Sequence, residues 1–453
     1  MKNKKRYERP IIKQLNTGLM NKFGTRTEYM PVTHIDGVPV KKLIEDYGSP
    51  VFVLSERKIR ENFKSAKRIF ETRYPKVQFA WSYKTNYLNA VCNVYHQEGS
   101  WAEVVSIFEY KKAIQNGVSP NKILFNGPDK TNEDLILAIK NDSPIHIDHL
   151  DELYRLIELA DEMHKKPRVA IRVNMDTGVY PMWDRFGFNY ENGQAWDAIN
   201  KIMASNKLNL IGLHCHIGTY MLAPYAYGVA ANKMADLALG IKKRFNKSIT
   251  YIDMGGGFAS KNTLKGAAQI GADIVPEISQ FAEAISTSLL NAGFETDDLP
   301  YLYLETGRAL IDDAGFLLGS VISNKRLSDG RRAVIMDFGV NILFTSFWYN
   351  HKISPAQKFS HYTEDCVLYG PLCMNIDVVR ENISLPPLQS GDRVVVHHVG
   401  AYNITQSMQF IALRPAVVMI DMEGTPHIIK SSETVDDVEK NERMPKHLES
   451  FKL

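Results

Sequence analysis

Cysteine is scarce in this chain of 453 residues: Cys92, Cys215, Cys366 and Cys373 are the whole complement. No two of them stand in a CxxC pair. That argues against a disulfide framework and the common zinc spacings, and it points to a reducing compartment. An excess of one charge is also missing. Lys and Arg number 54 against 51 Asp and Glu, a net of +3, so neither nucleic acid nor an acidic surface is an expected partner. No apolar run is long enough to span a bilayer, and no membrane association is expected. The basic start MKNKKRYERP is not followed by an apolar stretch, so it does not read as a secretory signal. A cytoplasmic protein is the resulting expectation. No internal repeat or low-complexity tract interrupts the chain. What is present is ordinary for a globular protein, 44% hydrophobic and 23% charged residues, with length for two or three domains.

Residues 1–24 read as an irregular leader in which Pro10-Ile11-Ile12 could pack. Residues 29–40 are β-like, with Asp36-Gly37 as a tight hairpin turn. Val51-Phe52-Val53-Leu54 reads as a strand, and Ile59, Phe63, Ala66 and Phe70 follow it at helical spacing. From Val77 a rhythm sets in. Short apolar strands at 77–83, 102–106, 122–126, 144–148, 168–174, 210–217, 249–254 and 301–305 alternate with helical segments such as 108–116, 131–141, 151–165, 195–204 and 276–291. Strand, helix, strand, repeated, means parallel strands with right-handed crossovers. Eight of them fit a (β/α)8 TIM barrel, an α/β fold; a doubly wound open sheet is the runner-up. Past Arg308 the rhythm gives way to short strands at 316–324, 332–337, 366–369, 393–399, 410–413 and 416–422. These predict a C-terminal antiparallel β domain. The expected division is an N-terminal segment, 1–49, contributing to the β domain, a barrel over 50–310, and the β domain over 311–453.

In a barrel, chemistry is expected at the C-terminal ends of the strands. Lys84, in WSYKTN, ends the first strand, where burial is expected to lower its pKa and make it an amine fit for a Schiff base. Read alone, such a lysine reaches solvent with its head; its company decides otherwise. Ser106 ends the second strand, and Arg172 and Asn174 end the fifth. His214 and His216 end the sixth. Being two apart, they should point to opposite faces, one into the lumen and one toward the helices, which argues against a metal pair; no metal is expected. Asp253 and Gly255-Gly256-Gly257 end the seventh, where glycines can bring backbone N–H groups to a phosphate. Glu305, Gly307 and Arg308 end the eighth. Glu305 is expected to be buried, either paired with an arginine or serving a protonated ring nitrogen, and Arg308 could bind the phosphate. A Schiff-base lysine, a phosphate cradle and an acid for a ring nitrogen together point to pyridoxal 5′-phosphate.

On these motifs the chain resembles the fold-type III pyridoxal-phosphate decarboxylases, the diaminopimelate, ornithine and arginine decarboxylase group related in fold to alanine racemase. The likeness runs from about Asp46 to Leu413, and the diaminopimelate branch is closest. WSYKTN resembles the family's cofactor-lysine motif, which implies that Lys84 bonds the cofactor aldehyde. His216-Ile217-Gly218-Thr219 resembles HIGS, whose histidine stacks on the cofactor ring. DMGGGF resembles the phosphate-binding glycine segment. LETGR resembles EPGR, with Thr306 in place of proline, and implies that Glu305 meets the pyridine nitrogen while Gly307 and Arg308 approach phosphate or substrate. Tyr369-Gly370-Pro371-Leu372-Cys373 resembles the motif whose cysteine enters from a second subunit and protonates the carbanion. Asp377 is that motif's acidic partner, expected at the substrate. Gly400-Ala401-Tyr402 resembles GAY, whose tyrosine reaches phosphate and substrate.

The resemblance implies a homodimeric amino-acid decarboxylase with shared active sites and a small amino-acid substrate. Two departures bear on that substrate. Met374 and Asn375 stand where diaminopimelate decarboxylases carry Glu and Ser, and Thr345 stands where a substrate-binding arginine is usual. Losing a carboxylate and a guanidinium changes what the pocket can grip. The aromatic stretch 344–349 could line a reshaped one. An amino-acid racemase on the same machinery and a non-catalytic cofactor-binding protein are the alternatives.

Overall fold

The structure is a computed structural model, and residues 30–179, 181–267, 271–359 and 362–448 are described; the leader at 1–24 lies outside them. The eight expected barrel strands are present: Val77–Ser82, Trp101–Val104, Ile123–Phe125, Ile145–Ile147, Arg168–Asn174, Asn209–Cys215, Tyr251–Asp253 and Tyr301–Leu304. Each pairs in parallel with the next, and the eighth pairs with the first, Leu302 beside Val77. The ring is closed, which rules out the open sheet. A two-residue strand, Phe188–Asn189, adds to the end of the fifth.

Local chemistry explains the helices between strands. Helix Glu56–Glu71 buries Ile59, Phe63, Ala66 and Phe70, the stripe expected of an amphipathic helix on a sheet. Thr131 and Asp134 form a capping box that starts helix Asn132–Lys140. Ser106 accepts the Glu109 N–H and starts helix Ile107–Gln115, so it caps a helix and does not face the strand-end site.

The barrel lumen is layered. Ala80, Leu124, Ala170, Tyr251 and Tyr303 form one buried cluster. The rings of Tyr251 and Tyr303 stack with centroids 4.3 Å apart. Gly212 makes room for them, since a Cβ there would lie 2.3 Å from Tyr251 Cζ. Two residues further along a strand the side chain returns to the same face. That step leads to Ser82, Glu103, Asn126, His214, Asp253 and Glu305, all buried. An apolar plug thus supports a polar layer at the C-terminal end of the barrel.

The chain divides into two units. One holds 56–314 and 400–405; the other holds 30–55, 315–399 and 406–448. Against the expected bounds, the barrel unit starts at 56 rather than 50, ends at 314 rather than 310, and takes in 400–405. Val51–Ser55 pairs with Gly315–Arg326 and Val417–Ile420 in the second unit. The second unit also holds the hairpin, with Asp36 and Gly37 both at positive φ. Its sheet is mixed rather than purely antiparallel. Val51–Ser55 lies parallel to Val417–Ile420, and Arg332–Met336 lies parallel to Glu364–Tyr369. Parallel neighbours need long connections, and the residues between 336 and 364 supply one. The strand expected at 410–413 is a single bridge, Phe410 to Ala412, whereas Val378–Leu385 and Pro426–Lys430 are strands that were not expected.

Candidate active site

Lys84 sits in the 3-10 turn Tyr83–Thr85 directly after the first strand. Its Nζ lies 2.6 Å from Glu103 Oε2, on a carboxylate that is wholly buried. Glu103 Oε2 also accepts the Ser82 hydroxyl at 2.6 Å, and Oε1 accepts Asn126 Nδ2 at 3.0 Å. Asn126 Nδ2 reaches Glu305 Oε1 at 2.6 Å. One amide thereby links the lysine's carboxylate to the carboxylate of the eighth strand. The expected lowering of the Lys84 pKa is not what this geometry gives. Burial does push it down, but the Glu103 and Glu305 carboxylates outweigh burial and hold it above the usual lysine value.

Glu305 Oε2 faces His214 Nε2 at 3.3 Å. The His146 ring lies 4.9 Å from His214, and its Nε2 meets the Tyr251 hydroxyl at 2.8 Å. Ligand-capable atoms of His146, His214, Asp253 and Glu305 all fall within 4.8 Å of one another, a grouping able to hold a metal ion. Burial drives both histidines well below their usual pKa, and burial together with the Glu305 charge drives Asp253 well above the carboxylate range. His214 faces the lumen as expected of one member of the pair. His216 does not turn toward the helices: the strand ends at Cys215, and past that residue the alternation of faces no longer applies.

His216 instead lies at the rim. Its Nδ1 accepts the Gly256 N–H at 3.1 Å, and the Trp183 ring stands 5.6 Å from it. Burial, then the Arg172 charge, hold its pKa down to about 3, so the imidazole is neutral. Gly255 donates its N–H to Asp253 Oδ1 at 2.8 Å. Two of the three glycine N–H groups are therefore spent within the protein. What the triple glycine supplies is close approach: a Cβ on Gly255 would lie 2.5 Å from Cys215 O, one on Gly256 2.6 Å from Glu305 O, and one on Gly257 2.1 Å from Gly218 O. Gly307 packs on Thr85, whose carbonyl accepts the Tyr402 N–H at 2.9 Å. The Arg308 guanidinium stacks on the Tyr402 ring at 4.7 Å and donates to Thr219 Oγ1 at 3.4 Å. Tyr402 itself is held at φ 66, a strained conformation of the kind that gathers at functional sites.

Lys84, His216, Gly255 to Gly257, Glu305, Gly307, Arg308 and Tyr402 therefore meet in one unit. Asn174 does not join them; its amide donates to the carbonyls of Phe186 and Gly187. Cys373 and Asp377 belong to the second unit. Cys373 is exposed, whereas the other three cysteines are buried, and all four are free. Asp377 is 2% exposed and spends both oxygens on main-chain N–H groups, those of Val340 and Leu372, each at 2.8 Å. Its carboxylate is thereby engaged by the backbone of the second unit.

The pyridoxal-binding domain of the pyridoxal-dependent decarboxylases matches residues 56–312. The chain belongs to this family. It is 29% identical over 432 residues to the diaminopimelate decarboxylase of Methanocaldococcus jannaschii, covering 91% of this chain and 95% of that one. The Bacillus subtilis diaminopimelate decarboxylase is likewise 29% identical, over 421 residues, with 90% and 94% covered. The crystal structure of the M. jannaschii protein aligns with a TM-score of 0.83 at 29% identity, over 92% of this chain and 96% of that chain. The decarboxylase removes the carboxylate of an amino acid with pyridoxal 5′-phosphate as cofactor. These findings support neither the racemase nor the non-catalytic alternative.

The decarboxylase's own residues fit that cofactor. A lysine amine, 37% exposed, stands 2.6 Å from a buried carboxylate that fixes its position. A second carboxylate, a neutral imidazole and a stacked guanidinium surround it. The side-chain atoms His214 Nδ1, Asp253 Oδ2 and Asn126 Oδ1 are buried without a hydrogen-bond partner. Glu103 and Asn126 were not anticipated from the sequence. The signal was there: Glu103 is the one charged residue in the apolar run WAEVV, and a charge inside a buried parallel strand needs a partner.

Glu109 adds a pH-dependent element. Its Oε2 accepts the Val105 N–H at 2.8 Å. Burial raises its pKa to about 7, with the Val105 N–H opposing and Glu103 assisting. The folded state then holds a proton that the unfolded state releases near pH 4.5. This contribution to stability is full below that pH and is lost as pH rises through 7, because the folded chain binds more protons across the window. Glu109→Gln should flatten the fall in melting temperature between pH 5 and pH 8, an effect worth at most about 3 kcal/mol. A parallel pair of melting curves for the variant and the parent would contradict it.

Proposed function

We propose that this decarboxylase acts, as a cytoplasmic homodimer, on an amino acid or amino-acid-derived intermediate whose distal end differs from that of diaminopimelate. The observation behind this reading is the segment after Val340. Thr345 is buried, and its hydroxyl meets His351 Nε2 at 2.8 Å. Beside it, Phe344 packs edge-on against Phe347 and Trp348 at 5.3 and 5.2 Å. An aromatic cluster with Met374 on the Cys373 turn offers apolar area where a zwitterionic end would want charge.

Bound pyridoxal phosphate supplies an electron sink for the pair left behind when carbon dioxide departs. The rest falls to the chain. Lys84 must be neutral to bond an aldehyde, and Glu103, at hydrogen-bond distance, fixes the position of its nitrogen while favouring the charged form until the proton leaves. Glu305, kept in position by Asn126, would answer the charge of a protonated ring nitrogen. His216 presents a neutral ring fixed by Gly256. Arg308, braced on Tyr402 and Thr219, supplies positive charge for the phosphate or the substrate carboxylate. Gly255 to Gly257 and Gly307 let backbone come close. Cys373 is the proton donor to Cα, and its exposure on the single chain supports its use by a second copy.

Carbon dioxide release from holoenzyme across both enantiomers of lysine and ornithine, arginine, glutamate, meso-diaminopimelate and carboxylated polyamine precursors tests the substrate. Turnover of another member with diaminopimelate inert is expected; rapid release from meso-diaminopimelate would refute the specificity argument. On the preferred substrate Cys373→Ala should lower kcat by ~10²–10⁴-fold, the range for a general acid. An unchanged kcat would remove Cys373 from the mechanism.

A further inference from the structure

Asp377 is the residue of the Cys373 motif whose surroundings fit a substrate contact least. It closes the turn between strands Glu364–Tyr369 and Val378–Leu385. Its Oδ1 accepts the Val340 N–H and its Oδ2 the Leu372 N–H, both at 2.8 Å. Two glycines close over the carboxylate. A Cβ on Gly339 would lie 2.4 Å from Oδ1, and one on Gly370 2.3 Å from Oδ2. Backbone contacts tighten the same turn: Gly370 N–H to Asp377 O at 3.0 Å, Asp377 N–H to Met374 O at 3.1 Å, and Met374 N–H to Leu372 O at 2.8 Å. Among the described residues no Lys, Arg or His pairs with it. Burial raises its pKa, and the two amides oppose the rise.

A buried carboxylate costs free energy unless its lone pairs are used. Here they are used by the backbone of two separate segments. One, 337–341, leads through Ile342 and Leu343, both hydrogen-bonded to Gly339 O, into the aromatic turn Phe344–Phe347. The other carries Cys373. Glycine is required on both sides by close approach rather than by left-handed φ, since neither Gly339 nor Gly370 adopts a positive one.

We propose that Asp377 is a positioning residue: its carboxylate ties the turn bearing the proton donor Cys373 to the segment bearing the aromatic substrate face, so that one side chain sets both. The proposal rests on the reading of Cys373 as proton donor. Asp377→Asn keeps the volume but turns an NH2 group toward one of the two amides. Gly370→Ala leaves Asp377 in place and pushes its carboxylate aside.

The test is the rate of Cys373 alkylation by iodoacetamide in holoenzyme from pH 6 to pH 9, followed by mass spectrometry of the Cys373 peptide. The other three cysteines are buried, so their labelling reports unfolding. Both variants should shift the Cys373 rate by about fivefold or more, as expected from losing one hydrogen bond, and change its pH profile. The visible cofactor band and the protection of the other cysteines should be unchanged. A Cys373 rate and profile equal to the parent's in the two variants overturns the proposal, as does a shift seen only together with labelling of the buried cysteines. Failure of the underlying reading shows separately, as undiminished carbon dioxide release by Cys373→Ala.

Discussion

Replacing Lys84 by alanine abolishes the visible absorbance of the bound cofactor and brings carbon dioxide release down to background. The expectation rests on position. Lys84 is the amine held against the buried Glu103 carboxylate at 2.6 Å, whereas the buried Lys130 is committed to Glu152 and two carbonyls. A neighbouring change separates bonding from charge. In Glu103→Gln the Lys84 ammonium loses its principal counter-charge while burial still acts against it, so its pKa should fall. Cofactor capture by the cofactor-free protein needs the neutral amine. In the parent, capture should speed up as pH rises toward the raised lysine pKa; in Glu103→Gln that rise should appear at lower pH. Stopped-flow absorbance after mixing with pyridoxal phosphate reads both. A Lys84→Ala protein that keeps its visible band would remove Lys84 from the site, and identical capture profiles would remove Glu103 from control of its charge.

The barrel was legible because parallel strands buried on both faces read as continuous apolar runs, and because polar residues at their C-terminal ends mark one rim. Lys84, Glu305, Arg308 and Tyr402 could be set out from that logic and from motif likeness. Three things were not legible. The charge of Lys84 is decided by Glu103, a residue of the neighbouring strand, and pairing between strands is not written in either segment alone. The orientation of His216 depends on where the strand ends, and strand ends are set by hydrogen bonds rather than by residue type. The parallel pairings of the β unit join segments hundreds of residues apart, Val51–Ser55 with Val417–Ile420, and no local pattern encodes them. Asp377 shows a subtler gap. Its motif gives the residue but not its partners, and the two amides that use it sit beside glycines whose meaning becomes clear only in three dimensions.

Lys130 carries the largest expected stability effect. Its side chain is fully buried against Glu152 at 2.7 Å. Its other hydrogens go to Gly127 O at 2.6 Å and His146 O at 3.0 Å, while Glu152 Oε2 accepts the Asp148 N–H at 2.9 Å. Lys130→Met leaves the Glu152 carboxylate buried without a cation, which costs about 3–5 kcal/mol, a drop in melting temperature on the order of 10 °C for a unit of this size. Much of that loss belongs to the stranded charge rather than to the pair itself. Lys130→Met combined with Glu152→Gln should therefore be more stable than Lys130→Met alone, a non-additivity that a thermal-melt cycle measures. Additive losses would mean that the pair is not coupled. The same variant reaches the chemistry through one residue. Lys130 holds the carbonyl of Gly127, and Asn126 immediately before it joins Glu103 to Glu305. Loosening the loop after the third strand should therefore weaken cofactor retention as well as lower the melting temperature, while Glu109→Gln, whose partner is Val105, should leave retention alone.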